Sequence, residues 1–257
     1  MVISPIISEQ FDGKIWRMEI DELSDTLFLE IRDEEEKTVS FSGIDLSEGK
    51  ILFKDITTPE RWLTGIEAAY DGVLLLHFYQ TETGPAHKGL MAIDGGTAKL
   101  LWSDFTHTFD HLTENGPVVY DARIHPRKFF LLDCKTGATN RVYEPSVYKE
   151  LQNSVVLPHT VSSEELPVKL ISIHPFGNSV HYLEHNNFRI VSLHALKGGE
   201  LNQILFIFDG SEPGNDRIVY EDLLNAGIQK MQPESFIIHK NRLIYIKNKS
   251  ELKALAL

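Results

Sequence analysis

The stretch DGVLLLHFYQTETGPAHKGLMAIDGGTAKLLW, residues 71–102, decides the fold. It opens on a tight-turn pair, Asp71-Gly72, which leads into a strongly apolar run. A second, polar turn follows Asp94, and the next apolar run closes on Trp102. Asp-Gly is typical of a type I′ hairpin, because both central residues of that turn need a positive φ. The stretch therefore predicts one antiparallel hairpin followed by another.

Both kinds of turn recur along the chain. The hairpin pair occurs five times, and the turn after an aspartate occurs four times, each time before a run that ends on an aromatic residue. A repeated unit of two hairpins, about 40–50 residues long, predicts a β-propeller of four-stranded blades. We expect the aspartates to accept hydrogen bonds within their turns. The hairpin pairs are Ser24-Asp25, Asp71-Gly72, Asn115-Gly116, Asn186-Asn187 and Lys240-Asn241, and the aspartate and aromatic pairs are Asp45 with Phe53, Asp94 with Trp102, Asp133 with Tyr143 and Asp209 with Tyr220.

We predict one all-β domain over residues 1–257, a five-bladed β-propeller of four-stranded antiparallel blades. The fifth unit ends after its third strand, at 251–257, so its sheet needs a strand from elsewhere. The N-terminal run at 2–8 is the predicted donor, which closes the ring and puts both chain ends in one blade. The strands of the first two units are predicted at 14–21, 26–32, 40–45 and 50–56, and then at 61–70, 73–79, 89–94 and 99–105.

One repeat is too long for a single blade. The turn residues Gly116 and Asn187 are 71 positions apart, whereas a blade takes about 40–50 residues. We interpret the surplus as an insertion at about 145–178, with an extra strand at 168–174. A sixth, degenerate blade in the same segment is the alternative.

The composition excludes several classes of function. With 37 acidic and 25 basic residues the formal net charge is −12 at pH 7, which opposes binding to nucleic acids and to anionic membranes. No apolar run approaches the ~18 residues of a membrane span, and the first residues lack the pattern of a signal peptide, so we expect a cytoplasmic protein. Cys134 is the only cysteine. A single cysteine excludes disulfides within the chain and cysteine-rich zinc sites. We predict that the thiol of Cys134 is inert and partly buried.

The run LMAIDGGTAKLLW at 90–102 resembles the repeat of quinoprotein-type β-propellers, in which a strand ending in Ala-x-Asp precedes a Thr-Gly turn and a strand closing on Trp. The runs at 45–53 and 134–143 are weaker copies. The chain is similar in this respect to uncharacterised bacterial proteins of its length. The resemblance implies that the closing aromatic residues pack between blades. Quinone-dependent dehydrogenases with this repeat use a vicinal cysteine pair, which this chain lacks, so we expect no quinone and no other cofactor.

Two His-x-x-x-His pairs fall on predicted innermost strands of neighbouring blades. They are His107 with His111 and His181 with His185. Residues four apart on a strand share a face, so each pair is predicted to point into the channel, but they lie ~13 Å apart. A metal ion would therefore need one histidine from each blade, namely His111 and His185. We favour hydrogen-bonded or solvated histidines without a metal, and His77 gains no support from its spacing.

These observations predict a non-catalytic binding or scaffold protein, whose protein partner or small-molecule ligand binds at the ring face or in the central channel. The usual motifs of nucleotide binding, serine nucleophiles and zinc proteases are absent from the sequence. A small hydrolase or metal-dependent enzyme that uses inner-strand histidines and carboxylates is the alternative hypothesis. The candidate carboxylates are Glu19, Asp21, Glu67, Asp110, Glu114 and Glu184.

The candidate ligand-binding residues combine aromatic and ionisable side chains of the inner strands. The two tryptophans are predicted at matching positions of the first two blades, where a role in the repeated core is the competing interpretation. The candidates are Trp16, Trp62, Asp110, His111, His181 and His185.

Overall fold

The computed structural model of the chain describes residues 3–82, 84–166, 173–211, 216–233 and 235–257. Within them the chain is all-β, apart from two short 3-10 turns at Ser163–Glu165 and Phe176–Asn178. No helix in the described ranges has the length and apolar character of a membrane span. The strands, in chain order, are β1 (Pro5–Gln10), β2 (Lys14–Asp21), β3 (Thr26–Asp33), β4 (Thr38–Asp45), β5 (Lys50–Ile56), β6 (Thr64–Tyr70), β7 (Val73–Tyr79), β8 (His87–Asp94), β9 (Leu100–Asp104), β10 (His107–Thr113), β11 (Gly116–Asp121), β12 (Phe129–Leu132), β13 (Thr139–Val142), β14 (Val155–Val156), β15 (His159–Ser162), β16 (Ser179–His185), β17 (Phe188–Lys197), β18 (Glu200–Asp209), β19 (Arg217–Ile228), β20 (Ile237–His239), β21 (Arg242–Lys247) and β22 (Glu251–Ala256).

The strands belong to two compact units. The first unit is Asp12–Asn153, and the second unit is Met1–Phe11 together with Ser154–Leu257. The first unit contains three four-stranded antiparallel sheets, each with its strands in chain order: β2 to β5, β6 to β9 and β10 to β13. The strands of the first two sheets lie within three residues of their predicted bounds. Their apolar side chains form a common core, in which Phe28, Phe41 and Leu74 are fully buried.

The second unit contains two five-stranded antiparallel sheets. One has the order β15-β16-β17-β18-β19, and the other has the order β1-β22-β21-β20-β14. In the latter sheet β1 pairs with β22, with Ser8 opposite Lys253. This pairing confirms that the N-terminal strand completes the sheet of the C-terminal strands. Val2, the first residue of the predicted donor run, lies outside the described residues.

The segment predicted as an insertion contributes edge strands to these sheets. β14 pairs with β20, and β15 pairs with β16. The prediction of four strands in every sheet is therefore wrong for the second unit. Each of its two sheets has a fifth strand at one edge, β14 in one sheet and β15 in the other, and a strand at this position covers backbone groups that would otherwise be unpaired. It also follows that β16, predicted as an innermost strand, has β15 beyond it. Of the predicted extra strand at 168–174, only 173–174 is described, and it is not a strand.

Three of the five hairpin turns lie at their predicted positions, Asp71-Gly72, Asn186-Asn187 and Lys240-Asn241. The first is a four-residue turn over 22–25 and not the predicted pair Ser24-Asp25, because Asp21 pairs with Thr26. Asp71 and Gly72 connect β6 to β7 with φ of 48° and 77°, as a type I′ turn requires. The turn predicted at Asn115-Gly116 lies one residue earlier, because Gly116 pairs with Thr113 in the ladder. The buried hydroxyl of Thr113 donates to the Gly116 carbonyl at 2.7 Å and closes this hairpin.

The second series of turns is organised by its aspartates, as predicted. Asp94 Oδ1 accepts hydrogen bonds from the hydroxyl and the amide of Thr97, at 2.7 and 2.8 Å. The hydrogen bonds from the Thr97 hydroxyl and from the backbone amides of Thr97 and Gly96 hold the pKa of Asp94 below its ordinary value. The same type of turn, with backbone amides donating to the carboxylate, occurs at Asp45, Asp133 and Asp209.

Two of the closing aromatic residues connect neighbouring sheets, as the repeat implies. Trp102 of β9 packs on the buried Cys134, which follows β12, and donates its Nε1–H to the Cys134 carbonyl at 2.7 Å. Tyr220 of β19 forms a 2.7 Å hydrogen bond with the hydroxyl of Tyr245 on β21. Burial raises the pKa of the Cys134 thiol, consistent with the predicted inert cysteine.

Candidate functional site

The first strand of each sheet in the first unit carries a β-bulge. The register shifts once in β2, once in β6 and once in β10. The extra residues are Trp16, Glu67 and Asp110. A bulge turns a side chain out of the regular alternation, and bulges are frequent beside functional sites. All three residues are candidates from the sequence. In the structure each of them is the extra residue of a β-bulge in the first strand of its sheet.

Glu67 meets two histidines of its own sheet. Its Oε2 lies 2.9 Å from Nδ1 of His87 on β8 and 3.2 Å from Nδ1 of His77 on β7. The two imidazole rings are stacked, with centroids 3.5 Å apart and planes at 8°. Tyr79 packs edge-on against both rings, at 4.6 and 5.2 Å. The nearest ligand atoms of Glu67, His77 and His87 lie within 4.8 Å of one another, and we call these three residues the Glu67 cluster.

The Glu67 cluster is largely enclosed. The side chain of His77 is 1% exposed, that of Glu67 is 10% exposed and that of His87 is 29% exposed. Neither ring nitrogen of His77 makes a hydrogen bond of acceptable geometry. Burial raises the pKa of Glu67, but the close contacts and the charges of His77 and His87 outweigh it and leave that pKa below its ordinary value. Burial and the adjacent His77 lower the pKa of His87. The cluster therefore presents an ionised carboxylate beside a neutral imidazole near pH 7.

A buried ion pair from β3 fixes the bulge of β6. Arg32 donates from Nε to Glu30 Oε1 at 2.6 Å. Its two other nitrogens donate to the carbonyls of Trp62 and Thr64, at 3.2 and 2.8 Å. Glu30 Oε2 accepts from the amide of Ile66 at 2.8 Å. These contacts satisfy backbone groups that the irregular strand leaves without ladder partners.

Arg17 of β2 completes the support of the bulge. It donates to the carbonyls of Ile66 and Glu67, at 2.7 and 3.0 Å, and to Glu19 Oε2 at 3.0 Å. Burial raises the pKa of Glu19, although the charge of Arg17 opposes this. The position of Glu67 is thus set from the preceding sheet and not by β6 alone.

Trp16 and Trp62 converge on Arg32. The guanidinium carbon lies 4.8 Å from the ring centroid of Trp62 and 5.8 Å from those of Trp16 and Tyr79. Trp62 is partly buried against the core, whereas Trp16 is 60% exposed. The predicted equivalence of the two tryptophans is wrong, because Trp16 is the bulge residue inside β2 and Trp62 lies two residues before β6 begins. They share one site, which Tyr79 connects to the Glu67 cluster.

Asp110 and His111 form a separate acid and imidazole pair. His111 Nδ1 lies 2.7 Å from Asp110 Oδ2, and Nε2 lies 3.1 Å from the hydroxyl of Tyr143. Tyr143, a closing aromatic, thus contacts its own sheet. The bulge at Asp110 reverses the alternation of β10, so His107 contacts Phe130 on one face and His111 contacts Tyr143 on the other. The predicted shared face of the two histidines is therefore wrong.

The second histidine pair lies in the second unit. β16 pairs with β17 without a bulge, so His181 and His185 share a face, as predicted. His185 Nε2 lies 3.2 Å from Asn241 Oδ1. Burial lowers the pKa of His181, whose Nδ1 is enclosed without a hydrogen bond. His111 and His185 belong to different units, and one ion held by both stays an untested alternative to the prediction of histidines without a metal.

Comparison with known proteins adds a partial family match. Residues 20–102 match the family described as Domain of unknown function (DUF4905). The matched stretch includes the Glu67 cluster and Trp62, while Trp16 precedes it. A search of the curated proteins finds no match.

Two solved structures are similar to the whole chain at low identity. BamB from Moraxella catarrhalis is 8% identical with a TM-score of 0.35, and the match covers 100% of this chain and 98% of that one. The β-propeller domain of the Trilobed protease from Pyrococcus furiosus is 10% identical with a TM-score of 0.32, and the match covers 94% of this chain. This chain spans 64% of the length of that second structure.

Proposed function

We propose that the chain is a non-catalytic binding or scaffold protein, built as a five-bladed β-propeller in one domain that the N-terminal strand closes. The five antiparallel sheets and the pairing of β1 with β22 support this architecture. The segment at 145–178 is an insertion between the third and fourth blades. Within this proposal the protein acts in the cytoplasm, and its partner is a protein or a small molecule.

The observation that carries the binding function is the exposed ring of Trp16. The side chain is 60% exposed. Its strand, β2, is held in the sheet by pairing with β3, and Trp16 is the bulge residue of that strand. Tryptophan is among the residues that contribute most to binding energy at interfaces, since it buries a large apolar ring and offers one donor. An exposed tryptophan on a fixed strand is therefore a natural anchor for a ligand.

A fixed cation lies beside the Trp16 ring. Arg32 lies 5.8 Å from the Trp16 ring and is itself held by Glu30 and by backbone carbonyls. Lys37 lies 4.6 Å from the neighbouring Trp62 ring and extends the surface with a second cation. A side chain that is already ordered loses little conformational entropy on binding. The surface suits a partner with an exposed apolar or planar group next to a carboxylate.

The proposal is tested with wild-type protein, Trp16→Ala and a matched control, Leu100→Ala. Leu100 is also 60% exposed but lies on β9, outside the tryptophan site. The immobilised proteins are used to capture ligands from an extract of the source cells, and the affinity of an isolated ligand is then measured by calorimetry. We expect the control to retain the ligand and Trp16→Ala to weaken its Kd by about tenfold or more. Equal affinity of wild type and Trp16→Ala, or no retained ligand, contradicts the proposal.

A further inference from the structure

The Glu67 cluster combines ligand types that first-row transition metals favour. It brings one carboxylate and two imidazoles together from three consecutive strands, β6, β7 and β8. Imidazole and carboxylate suit zinc and its neighbours, whereas calcium and magnesium favour oxygen ligands alone. We propose that the Glu67 cluster binds a first-row divalent metal ion, foremost Zn²⁺, through Glu67, His77 and His87. This proposal does not depend on ligand binding at Trp16.

The distances are close to those that one ion needs. Zinc lies ~2.0–2.2 Å from nitrogen and carboxylate ligands in tetrahedral sites, so its ligand atoms lie ~3.3–3.5 Å from one another. Glu67 Oε2 lies 2.9 and 3.2 Å from the two Nδ1 atoms. The carboxylate therefore needs to move only a few tenths of an ångström from each of these two nitrogens to admit an ion, and all the nearest ligand atoms of the three residues lie within 4.8 Å of one another.

His77 provides an independent sign of a missing partner. Its ring is 1% exposed, and both of its nitrogens are buried without an acceptable hydrogen bond. Buried polar atoms are nearly always paired, and each exception calls for an explanation. The Nδ1 atom faces Glu67 at 3.2 Å outside hydrogen-bond geometry. A metal ion between this nitrogen and the carboxylate supplies the partner.

One side chain must rotate for the ion to bind. A metal lies in the plane of an imidazole that coordinates it, so two rings stacked at 8° and 3.5 Å cannot both point at one ion. His77 is enclosed and cannot tilt. His87 is 29% exposed and is the first residue of β8, so its ring can turn until both Nδ1 lone pairs converge.

The charges around the cluster are compatible with a bound cation. Arg17 donates to the carbonyls of Ile66 and Glu67, and its charge is balanced by Glu19 at 3.0 Å. Three protein ligands leave a coordination position for water, which is the pattern of catalytic and not of structural zinc sites. A metal here would support the metal-dependent form of the alternative enzyme hypothesis.

The test titrates the chelator-stripped full chain with Co²⁺ and Zn²⁺. Co²⁺ reports its nitrogen ligands and coordination number through visible absorption bands, and calorimetry gives Kd and stoichiometry. We expect one ion per chain, and we expect His87→Ala to weaken Kd by about 100-fold, since even loss of an outer hydrogen bond costs 10–100-fold. His159→Ala is the matched control, because it also removes an imidazole from the first residue of a strand, β15, where the side chain is exposed. It is expected to bind metal like the wild type.

Two results overturn the proposal. One is a wild-type protein that binds neither ion at about 100 μM, a concentration at which specific sites are filled. The other is an unchanged Kd in His87→Ala. Circular dichroism and the melting temperature of the stripped variants establish that they are folded. Glu67→Gln is the second variant, because it keeps the shape of the side chain, and it must also weaken Kd by at least about tenfold.

Discussion

Asp222 on β19 is the acceptor of a partly buried ionic network in the second unit. Its carboxylate receives hydrogen bonds from Lys247 at 2.7 Å, from Lys253 at 2.9 Å and from the hydroxyl of Tyr245 at 2.7 Å. Burial by itself raises the pKa of Asp222, but these donors outweigh burial and hold the pKa below its ordinary value. A carboxyl whose pKa is lowered on folding stabilises the folded state only while it is ionised.

This network predicts a defined pH dependence. The contribution of Asp222 is fully present above the unfolded pKa of about 3.9 and is lost as the pH falls through the lower, folded pKa. We expect Asp222→Asn to lower the free energy of unfolding by about 2 kcal/mol at pH 7, because two partly buried lysines lose their charged partner. The difference from wild type is expected to shrink below about pH 4. Urea unfolding over pH 3–7 measures it, with the exposed Glu82→Gln as control. A difference that does not change with pH contradicts the assignment.

The bulge in β6 is the element on which the Glu67 cluster depends. Without it, the hairpin at Asp71-Gly72 would place Glu67 opposite Leu76, on the other face from His77. The observed ladder instead pairs Gly65 with His77 and leaves Glu67 as the extra residue. Contacts from β2 and β3 hold this irregular strand, so the cluster is a product of two sheets.

Gly65 lies where β6 packs closely against the side chains of His77 and Glu30. A Cβ at this position would lie 3.0 Å from Cε1 and Nε2 of His77 and 3.1 Å from Glu30 Oε2. Since these atoms are buried and fixed, Gly65→Ala is expected to lower the free energy of unfolding by about 1–3 kcal/mol. The control is Gly96→Ala, whose Cβ meets only Asp94 Oδ1 at an ordinary 3.6 Å. Chemical denaturation compares the two, and equal stability would show that β6 can shift.

Across the whole molecule, the two chain ends depend on each other. β1 supplies an edge strand to the sheet of β20, β21 and β22, and its Ile7 is 5% exposed while its Ile6 is 43% exposed. The alternation shows that β1 is part of the core of the second unit. The last sheet is therefore complete only when residues from the first and last parts of the chain meet.

The alternation within β1 gives a paired test. Ile7→Asp would bury a charge without a partner, and we expect it to lower the free energy of unfolding by more than about 3 kcal/mol. Ile6→Asp puts the same charge on the exposed face of the same strand and is expected to change stability by less than about 1 kcal/mol. Thermal and urea unfolding measure both. Similar losses in the two variants would mean that β1 does not pack as described.

Local chemistry in the sequence by itself determined the strands, the turns and the pairing of the chain ends. Asp71-Gly72 specifies its turn through backbone φ, Asp94 organises its turn through its own carboxylate, and the alternation of apolar residues marks the strands. The unfinished fifth unit identified β1 as the missing strand because a sheet edge needs a partner. The all-β fold of successive antiparallel sheets could thus be predicted in advance.

Only the tertiary structure decided the candidate site. The bulge at Glu67 is held by Arg17, Glu30 and Arg32 of the preceding sheet, and no local signal marks it or the bulges at Trp16 and Asp110. A one-residue shift moves a side chain to the other face of a sheet, because the period of a strand is two. For that reason His77 and His87 were missed while Glu67 was found. Register, unlike strand propensity, is set by contacts between residues that are distant in the sequence.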